Sequence, residues 1–252
     1  DPERRTTGHV LRLANGTAVY TAETDLDSGQ GRLVRRDPRS LAALADSPTH
    51  GIDPHQFLID TDGSLLLANG GVPTLPETGR LKRDLAAMDP SLVRLDPRDG
   101  RLLGQWRLHD PRLSLRHLAR AADGRVGIAL QAEHDDADTR AAAPLLAVFD
   151  GQALRCAEAP RALAGYGGDI AATGSAFCVS APRAGGVARW SLDGRWIGHT
   201  ALDEACSLAT AQGALWSGGR TQALALPDTA PAATHALAAV RLDNHWVPWA
   251  IT

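Results

Sequence analysis

Short apolar runs alternate with turn residues along the whole chain. Stretches such as TAVYTAETD (residues 17–25) and SLLLANGG (64–71) end at Asp or Gly and contain β-branched or aliphatic residues in an extended pattern. Runs of about four to eight such residues, bounded by Gly, Pro and Asp, predict many strands and few helices. No run approaches the roughly eighteen consecutive apolar residues of a transmembrane helix. The pattern therefore predicts an all-β protein without a membrane span.

The predicted strands recur in groups of four. The first strands of these groups begin near His9, His55, His117, Asp169 and Cys206. Four-stranded units that recur every roughly 40 to 50 residues are typical of β-propeller blades. We therefore predict a single β-propeller domain over residues 1–252 with about five visible blades, closed by strand candidates in residues 232–246. A β-sandwich is the alternative, but it gives no reason for the repeated opening of each group.

Two longer segments interrupt the strand pattern. Residues 71–90 form a long inserted loop, in which LKRDLAAM (81–88) is expected to contain one or two helical turns. EHDDADTRAAAP (133–144) is expected to lack regular structure. Long loops in compact domains are more often functional than decorative. The first of these loops is accordingly a candidate for partner binding.

Composition and charge exclude some classes of function. The formal charge is −3, and arginines are mixed with acidic residues along the chain. The chain therefore has no basic stripe for a row of phosphates, so a nucleic-acid partner is not expected. The opening DPERRTTGHV lacks the apolar region of a secretory signal. The three cysteines have no C-x-x-C spacing and are expected to act as small buried hydrophobic residues.

A series of motifs resembles a known bacterial family. In chain order these motifs are HGIDPHQF, LLLANGGVPTLPETGR, MDPSLVRLD, SLRHLA and LDNHW, within a match over residues 7–246. They are similar to domain-of-unknown-function family 1513, whose members are exported proteins expected to be seven-bladed propellers. One departure is TGHV, where the family tends to have Gly-His-Gly, so that His9 is kept and its following neighbour is not.

The resemblance implies a location and partners. Family members usually carry about a hundred further residues at the amino end, including a twin-arginine export signal and two more blades. The present chain is therefore expected to lack amino-terminal blades and to act in the periplasm. Family genes often lie beside imelysin-like iron-uptake proteins and di-haem oxidoreductases, which implies periplasmic iron-uptake partners by association only.

Four histidines form the candidate site. Because the first strand of each propeller blade lines the central channel, His9, His55 and His117 are expected to converge near one channel mouth. His245, near the end of the chain, is expected to complete the set. Neutral imidazole nitrogens suit borderline metal ions at about 2 Å. The sequence therefore predicts a transition-metal site, for iron or copper before zinc.

Five further side chains are expected to support this site. They follow second strands or precede a first strand, positions that lie near the same rim, and they are His50, Glu23, Asp25, Asn69 and Glu133. Carboxylate and amide oxygens at such positions suit a hydrated ion or a polar small molecule. The remaining histidines that lie on turns or outer strands are treated as surface residues.

Other interpretations remain open at this stage. A single histidine at a strand start often hydrogen-bonds the backbone of a neighbouring blade and has no role in metal binding. A protein-interaction scaffold without metal would use the propeller face and the loop at residues 71–90. A metal-dependent lactonase-like hydrolase would hold its ion with Glu23, Asn69 and Glu133. No nucleophile-elbow, phosphate-loop or zinc-protease motif is present, so a binding protein is expected before an enzyme.

Overall fold

The computed structural model describes residues 3–73, 84–211, 213–227, 232–236, 242–243 and 245–246. The chain forms two compact units, Asp1–Arg116 and His117–Thr252. Within the described ranges the structure consists almost wholly of antiparallel strands. Within these ranges, no helix has the length and apolar character needed to cross a membrane.

Unit 1 contains two four-stranded antiparallel sheets. In each sheet the strands follow one another in chain order, which is the meander of a propeller blade. The first sheet consists of β1 (Arg4–Arg12), β2 (Val19–Asp25), β3 (Gln30–Arg36) and β4 (Ala43–Ile52). The second consists of β5 (Pro54–Ile59), β6 (Leu65–Asn69), β7 (Ser91–Leu95) and β8 (Leu102–Trp106).

An apolar core fills the space between these two sheets. Tyr20 and Leu33 of the first sheet pack with Phe57, Leu67 and Val93 of the second. β6 is buried along its whole length, because both faces of this strand are covered. A strand covered on both faces is expected to be continuously apolar, which explains the LLLA run in its sequence.

Unit 2 contains three further four-stranded antiparallel sheets, and the division between the units falls inside β9. The third sheet consists of β9 (Leu113–Arg120), β10 (Val126–Ala132), β11 (Leu146–Phe149) and β12 (Leu154–Ala157). The fourth consists of β13 (Ile170–Ala172), β14 (Ala176–Ala181), β15 (Gly186–Ser191) and β16 (Trp196–Ala201). The fifth consists of β17 (Ser207–Ala211), β18 (Ala214–Gly218), β19 (Gln222–Pro227) and β20 (Ala233–Ala236).

Two apolar clusters join the three sheets of unit 2. Phe177 and the fully buried Trp190 belong to the cluster between the third and fourth sheets. The indole Nε1 of Trp190 donates to the carbonyl of Glu158 at 2.8 Å, which satisfies the polar atom of this large side chain. Leu208 and Leu224 belong to the cluster between the fourth and fifth sheets. Each pair of successive sheets in unit 2 therefore has its own core.

The hairpin turns follow the chemistry predicted from the sequence. In the turn between β5 and β6, the backbone carbonyl of Asp60 accepts from the N–H of Gly63 at 3.0 Å. The backbone N–H of Asp60 donates to the carbonyl of Ser64 at 2.7 Å. Gly63 has a φ of 83°, which a residue with a side chain rarely adopts. The Asp-Gly signals of the sequence thus mark real strand reversals.

The segment EHDDADTRAAAP was predicted to lack regular structure, and this prediction was wrong. Residues Ala137–Ala142 form helix α1 between β10 and β11. Asp136 caps its amino end, because its carboxylate accepts from the Thr139 N–H at 2.8 Å and the Thr139 hydroxyl at 2.6 Å. A short polar segment of this kind shows no apolar periodicity, so the cap was the only helix signal in the sequence.

The inserted loop and the tail were predicted in part. In the loop at residues 71–90, Leu85–Ala87 form a short 3-10 turn, and residues 74–83 lie outside the described part of the chain. The tail strand β20 pairs with β19 as the fourth strand of the fifth sheet. The five sheets confirm the predicted all-β, propeller-like fold class. That residues 1–252 form a single domain stays a prediction.

Candidate functional site

In unit 1, His9 and His55 form a pair on two successive first strands. Their ring centroids lie 4.7 Å apart, and the ring planes are tilted by 60°. His9 follows Gly8, which has a φ of 96°, and lies where the β1–β2 register shifts between Thr6 and Val10. His55 lies in a similar irregularity at the start of β5. A β-bulge changes the direction in which side chains project from a strand. The irregular pairing therefore affects the direction of both histidine side chains.

The two acidic residues that were expected near His9 are held by other groups. The Glu23 side chain is almost fully buried, and it accepts from Arg36 and from the hydroxyl of Thr21, each at 2.6 Å. Asp25 accepts from the N–H and hydroxyl of Ser28 at 3.0 and 2.8 Å. These bonds lower the pKa of the Asp25 carboxyl. Both carboxylates therefore have a structural partner within the first sheet.

His50 and Asn69 belong to a buried polar network at the end of β6. Asn69 is fully buried and donates its Nδ2 to the Thr49 carbonyl at 2.9 Å and to the Ser91 hydroxyl at 3.4 Å. His50 has a φ of 55°, and its carbonyl accepts from Gln105 at 3.1 Å. Among the described atoms, Oδ1 of Asn69 and Nε2 of His50 have no hydrogen-bond partner. The network holds the His-Gly-Ile-Asp turn in a strained backbone conformation.

In unit 2, His117 and Asp169 form the best-defined part of the candidate site. His117 projects from β9, and its residue is only 4% exposed. Its Nδ1 lies 3.8 Å from Oδ1 of Asp169, the residue directly before β13. A carboxylate at this distance, which is longer than a hydrogen bond, places negative charge beside the imidazole ring. His117 is therefore a buried imidazole with a carboxylate beside it.

His245 brings a second imidazole to His117. Their ring centroids lie 5.2 Å apart, and a nitrogen of each lies within 4.8 Å of the other. Trp246, the next residue, packs against β18, since a methyl group built on Gly218 would lie 2.6 Å from its ring. This contact holds the residue next to His245 against β18. Two metal–nitrogen bonds of about 2 Å together span at most about 4 Å, which is slightly less than the 4.8 Å limit within which the two nitrogens lie.

Asp169 is a charged residue of this site that also links two sheets. Its carboxylate accepts from the N–H of Ile170 at 2.8 Å and from the N–H of Leu208 at 2.9 Å, so it joins β13 to β17. Burial raises the pKa of Asp169 to about 6, although the two N–H groups and His245 act in the opposite direction. A buried carboxylate with this pKa gains from a nearby cation.

One residue of the candidate site in unit 2, Asp169, was missed by sequence reasoning, which noted it only as the start of a blade. Its position directly before a first strand was the available signal. Glu133, predicted as a supporting residue, follows β10 with its side chain buried.

A family model described as "Protein of unknown function (DUF1513)" matches residues 1–249. The chain belongs to this family. The match confirms the resemblance carried by the motifs. A search of curated proteins finds no match. The periplasmic location, the iron-uptake partners and the convergence of all four histidines at one channel mouth stay predictions.

Proposed function

We propose that this family member binds a transition-metal ion through imidazoles carried by the first strands of its sheets and by its tail. The observation that supports the proposal most strongly is in unit 2, where a nitrogen of the buried His117 lies within 4.8 Å of a nitrogen of His245. Asp169 adds a carboxylate at 3.8 Å from His117. Imidazole and carboxylate together suit iron, copper and zinc.

Each side chain of unit 2 has a separate role in this proposal. His117 supplies a fixed nitrogen, because it is buried and faces Asp169. His245 supplies a second nitrogen from the exposed tail and closes on the ion as it enters. Asp169 supplies negative charge beside the ring of His117. In unit 1, the tilted pair of His9 and His55 offers a second set of imidazole nitrogens.

Metal analysis of the purified protein tests the proposal. The protein is loaded with copper, iron or zinc, dialysed, and analysed by mass spectrometry of the elements. We expect near-stoichiometric metal in the unmodified protein and at least a tenfold loss of affinity in the His117→Ala/His245→Ala variant, because both imidazole ligands of unit 2 are gone. A His9→Ala/His55→Ala variant measures the contribution of the unit 1 pair in the same way.

His109→Ala is the matched control, since His109 is an exposed histidine after β8. This variant is expected to keep its full metal content. Circular dichroism shows whether each variant retains its β structure. Folded variants that lose all four histidines and still bind as much metal as the unmodified protein would overturn the proposal. Absence of metal from the loaded, unmodified protein would also overturn it and leave the interaction-scaffold interpretation.

A further inference from the structure

Arg116, the last residue of unit 1, carries a largely buried guanidinium group. Its side chain belongs to β9 and is 11% exposed, and Nη1 lies 2.9 Å from Oδ2 of Asp53. Nε of Arg116 is also buried, and it has no hydrogen-bond partner among the described residues. A guanidinium group has five N–H donors in a rigid fork. The pairing through Nη1 therefore leaves the Nε edge of the fork without an acceptor from the described part of the chain.

Two other arginines of unit 1 show which chemical group fills this edge. Nε and Nη2 of Arg107 donate to the two carboxylate oxygens of Asp89 at 2.6 and 2.9 Å. Nε and Nη2 of Arg98 donate to the carboxylate of Asp96 at 3.0 and 2.6 Å. The side chains of Arg107 and Arg98 are 47% and 83% exposed, so Arg116 is the most shielded from water of the three. An unmet N–H costs most where water cannot replace the missing acceptor.

The segment before β5 links Asp53 to the strand that carries Arg116. Asp53 has a φ of 53°, which is unusual for a residue with a side chain and costs conformational energy. Its carbonyl accepts from the N–H of Gly70 at 2.7 Å. The carbonyl of Gly70 in turn accepts from the hydroxyl of the buried Ser114 at 2.7 Å. Because Ser114 and Arg116 lie two residues apart on β9, their side chains share one face of this strand.

Gly70 also provides the room in which the carboxylate and the guanidinium meet. A methyl group built on Gly70 would lie 2.4 Å from Oδ2 of Asp53 and 3.1 Å from Nη1 of Arg116. Gly70 does not have a positive φ, so a side chain at this position would act through these contacts alone. The fork of Arg116 is therefore oriented before a ligand arrives, which lowers the entropic cost of binding.

We propose that the Nε edge of Arg116 binds the carboxylate group of a small ligand, at a site that does not depend on metal binding. Nε and Nη2 of an arginine match the two oxygens of a carboxylate, as they do at Asp89. Asp53 already balances the charge of Arg116, and its repulsion of a second anion grows with the charge of that anion. A monocarboxylate is therefore favoured over a phosphate dianion. The Asp53 side chain is 22% exposed, so the pair reaches the surface, where a small acid has access to it.

Binding of acetate, measured by broadening of its methyl resonance in proton NMR spectra, tests this inference. The protein is first passed over a chelating resin, so that acetate cannot bind through a metal ion. We expect saturable binding to the unmodified protein and at least a tenfold loss of affinity in Arg116→Lys. Lysine keeps the positive charge beside Asp53 but lacks the two parallel donors. Arg107→Lys is the matched control, since Asp89 already occupies the fork of Arg107, and it should keep full affinity.

Gly70→Ala tests the orientation of the fork separately from its donors. The added methyl group displaces the carboxylate of Asp53 and with it the guanidinium of Arg116, while all donors remain. We expect this variant to bind acetate less tightly than the unmodified protein and more tightly than Arg116→Lys. Circular dichroism shows whether each variant retains its β structure. Full affinity in folded Gly70→Ala protein would overturn the role of Gly70 in orienting the fork.

Other results would overturn the assignment of the ligand. Absence of acetate binding to the unmodified protein would do so, and so would equal affinity in folded Arg116→Lys protein. Tighter binding of phosphate than of acetate, with the same dependence on Arg116, would assign the site to a different anion. None of these results bears on the metal proposal, because they are obtained with metal-free protein.

A second measurement applies if Arg116→Lys does not fold. The unmodified protein is treated with phenylglyoxal, which modifies arginine side chains, and peptide mass spectrometry follows the reaction with and without acetate. Acetate should slow the modification of Arg116 and leave the rate at Arg155 unchanged, since the Arg155 side chain is 70% exposed and pairs with Asp150. Equal rates at Arg116 with and without acetate would overturn the inference.

Discussion

The pair formed by Arg36 and Glu23 shows how a candidate ligand is held by a structural partner. Glu23 is 1% exposed, and Arg36 is its cationic partner at 2.6 Å. Removing one member of a buried ion pair leaves an uncompensated charge. We therefore expect Arg36→Ala to lower the free energy of unfolding by about 3–5 kcal/mol, measured by urea denaturation. The Glu23→Gln/Arg36→Met variant removes both charges and should recover most of this loss.

Metal content distinguishes this structural role from a ligand role for Glu23. Glu23→Gln keeps the shape of the side chain and should leave the metal content unchanged. A loss of metal in folded Glu23→Gln protein would show that the carboxylate is a ligand, as the sequence prediction had it. A double variant as unstable as Arg36→Ala would show that lost packing, and not the unpaired charge, causes the destabilisation.

At the residue level, the imidazoles of the site could be predicted and their companions could not. His9, His55 and His117 were found because each lies near the start of a predicted first strand, and the structure places all three on first strands. Asp169 and Cys206 directly precede first strands, but their side-chain types gave no reason to single them out. Their proximity depends on the contact between β13 and β17, which a single sequence does not reveal.

Helix α1 is the element whose stability depends most clearly on one residue. The carboxylate of Asp136 accepts two hydrogen bonds from Thr139 at the amino end of this helix. We expect Asp136→Ala to raise the hydrogen-exchange rates of the α1 amides roughly three- to tenfold, because the first turn loses its cap. Asp136→Asn is the matched control, since asparagine caps helices about as well, and its exchange rates should stay close to those of the unmodified protein.

The same cap has a pH dependence of known sign. The hydrogen bonds with Thr139 lower the pKa of Asp136. The cap is therefore fully present above the ordinary carboxyl pKa and is lost as the pH falls through the lowered value in the folded protein. Exchange in Asp136→Asn should lack this acid dependence. An equal acid dependence in both proteins would assign the effect to another carboxyl.

At the element level, the strands were predictable and the irregular elements were not. Alternating and continuous apolar runs placed the strands of all five sheets, with the first strands within a few residues of their observed starts. The helix at residues 137–142 was missed because six mainly small and polar residues carry no apolar face. The breaks in pairing around His9 and His55 were also invisible, because a bulge changes the register without changing the composition of a strand.

Across the whole molecule, each of the five sheets places a ligand-type side chain at its first strand. His9, His55 and His117 lie on β1, β5 and β9, and Asp169 and Cys206 directly precede β13 and β17. A structural histidine can satisfy a backbone group on any strand, whereas these three histidines all lie on first strands. This regularity connects the repeat architecture of the chain to the metal-binding proposal.

Bound metal is expected to stabilise the folded protein as a whole. A ligand that binds only the folded state at a concentration of 100 times its dissociation constant adds about 2.7 kcal/mol. For a chain of this size, that corresponds to a rise in Tm of roughly 5–10 °C, measured by calorimetry with and without Zn(II). His109→Ala should show the full rise, and His117→Ala/His245→Ala should show almost none. An equal rise in the double variant would mean that zinc stabilises the protein through other groups, and the assignment to this imidazole pair would then fail.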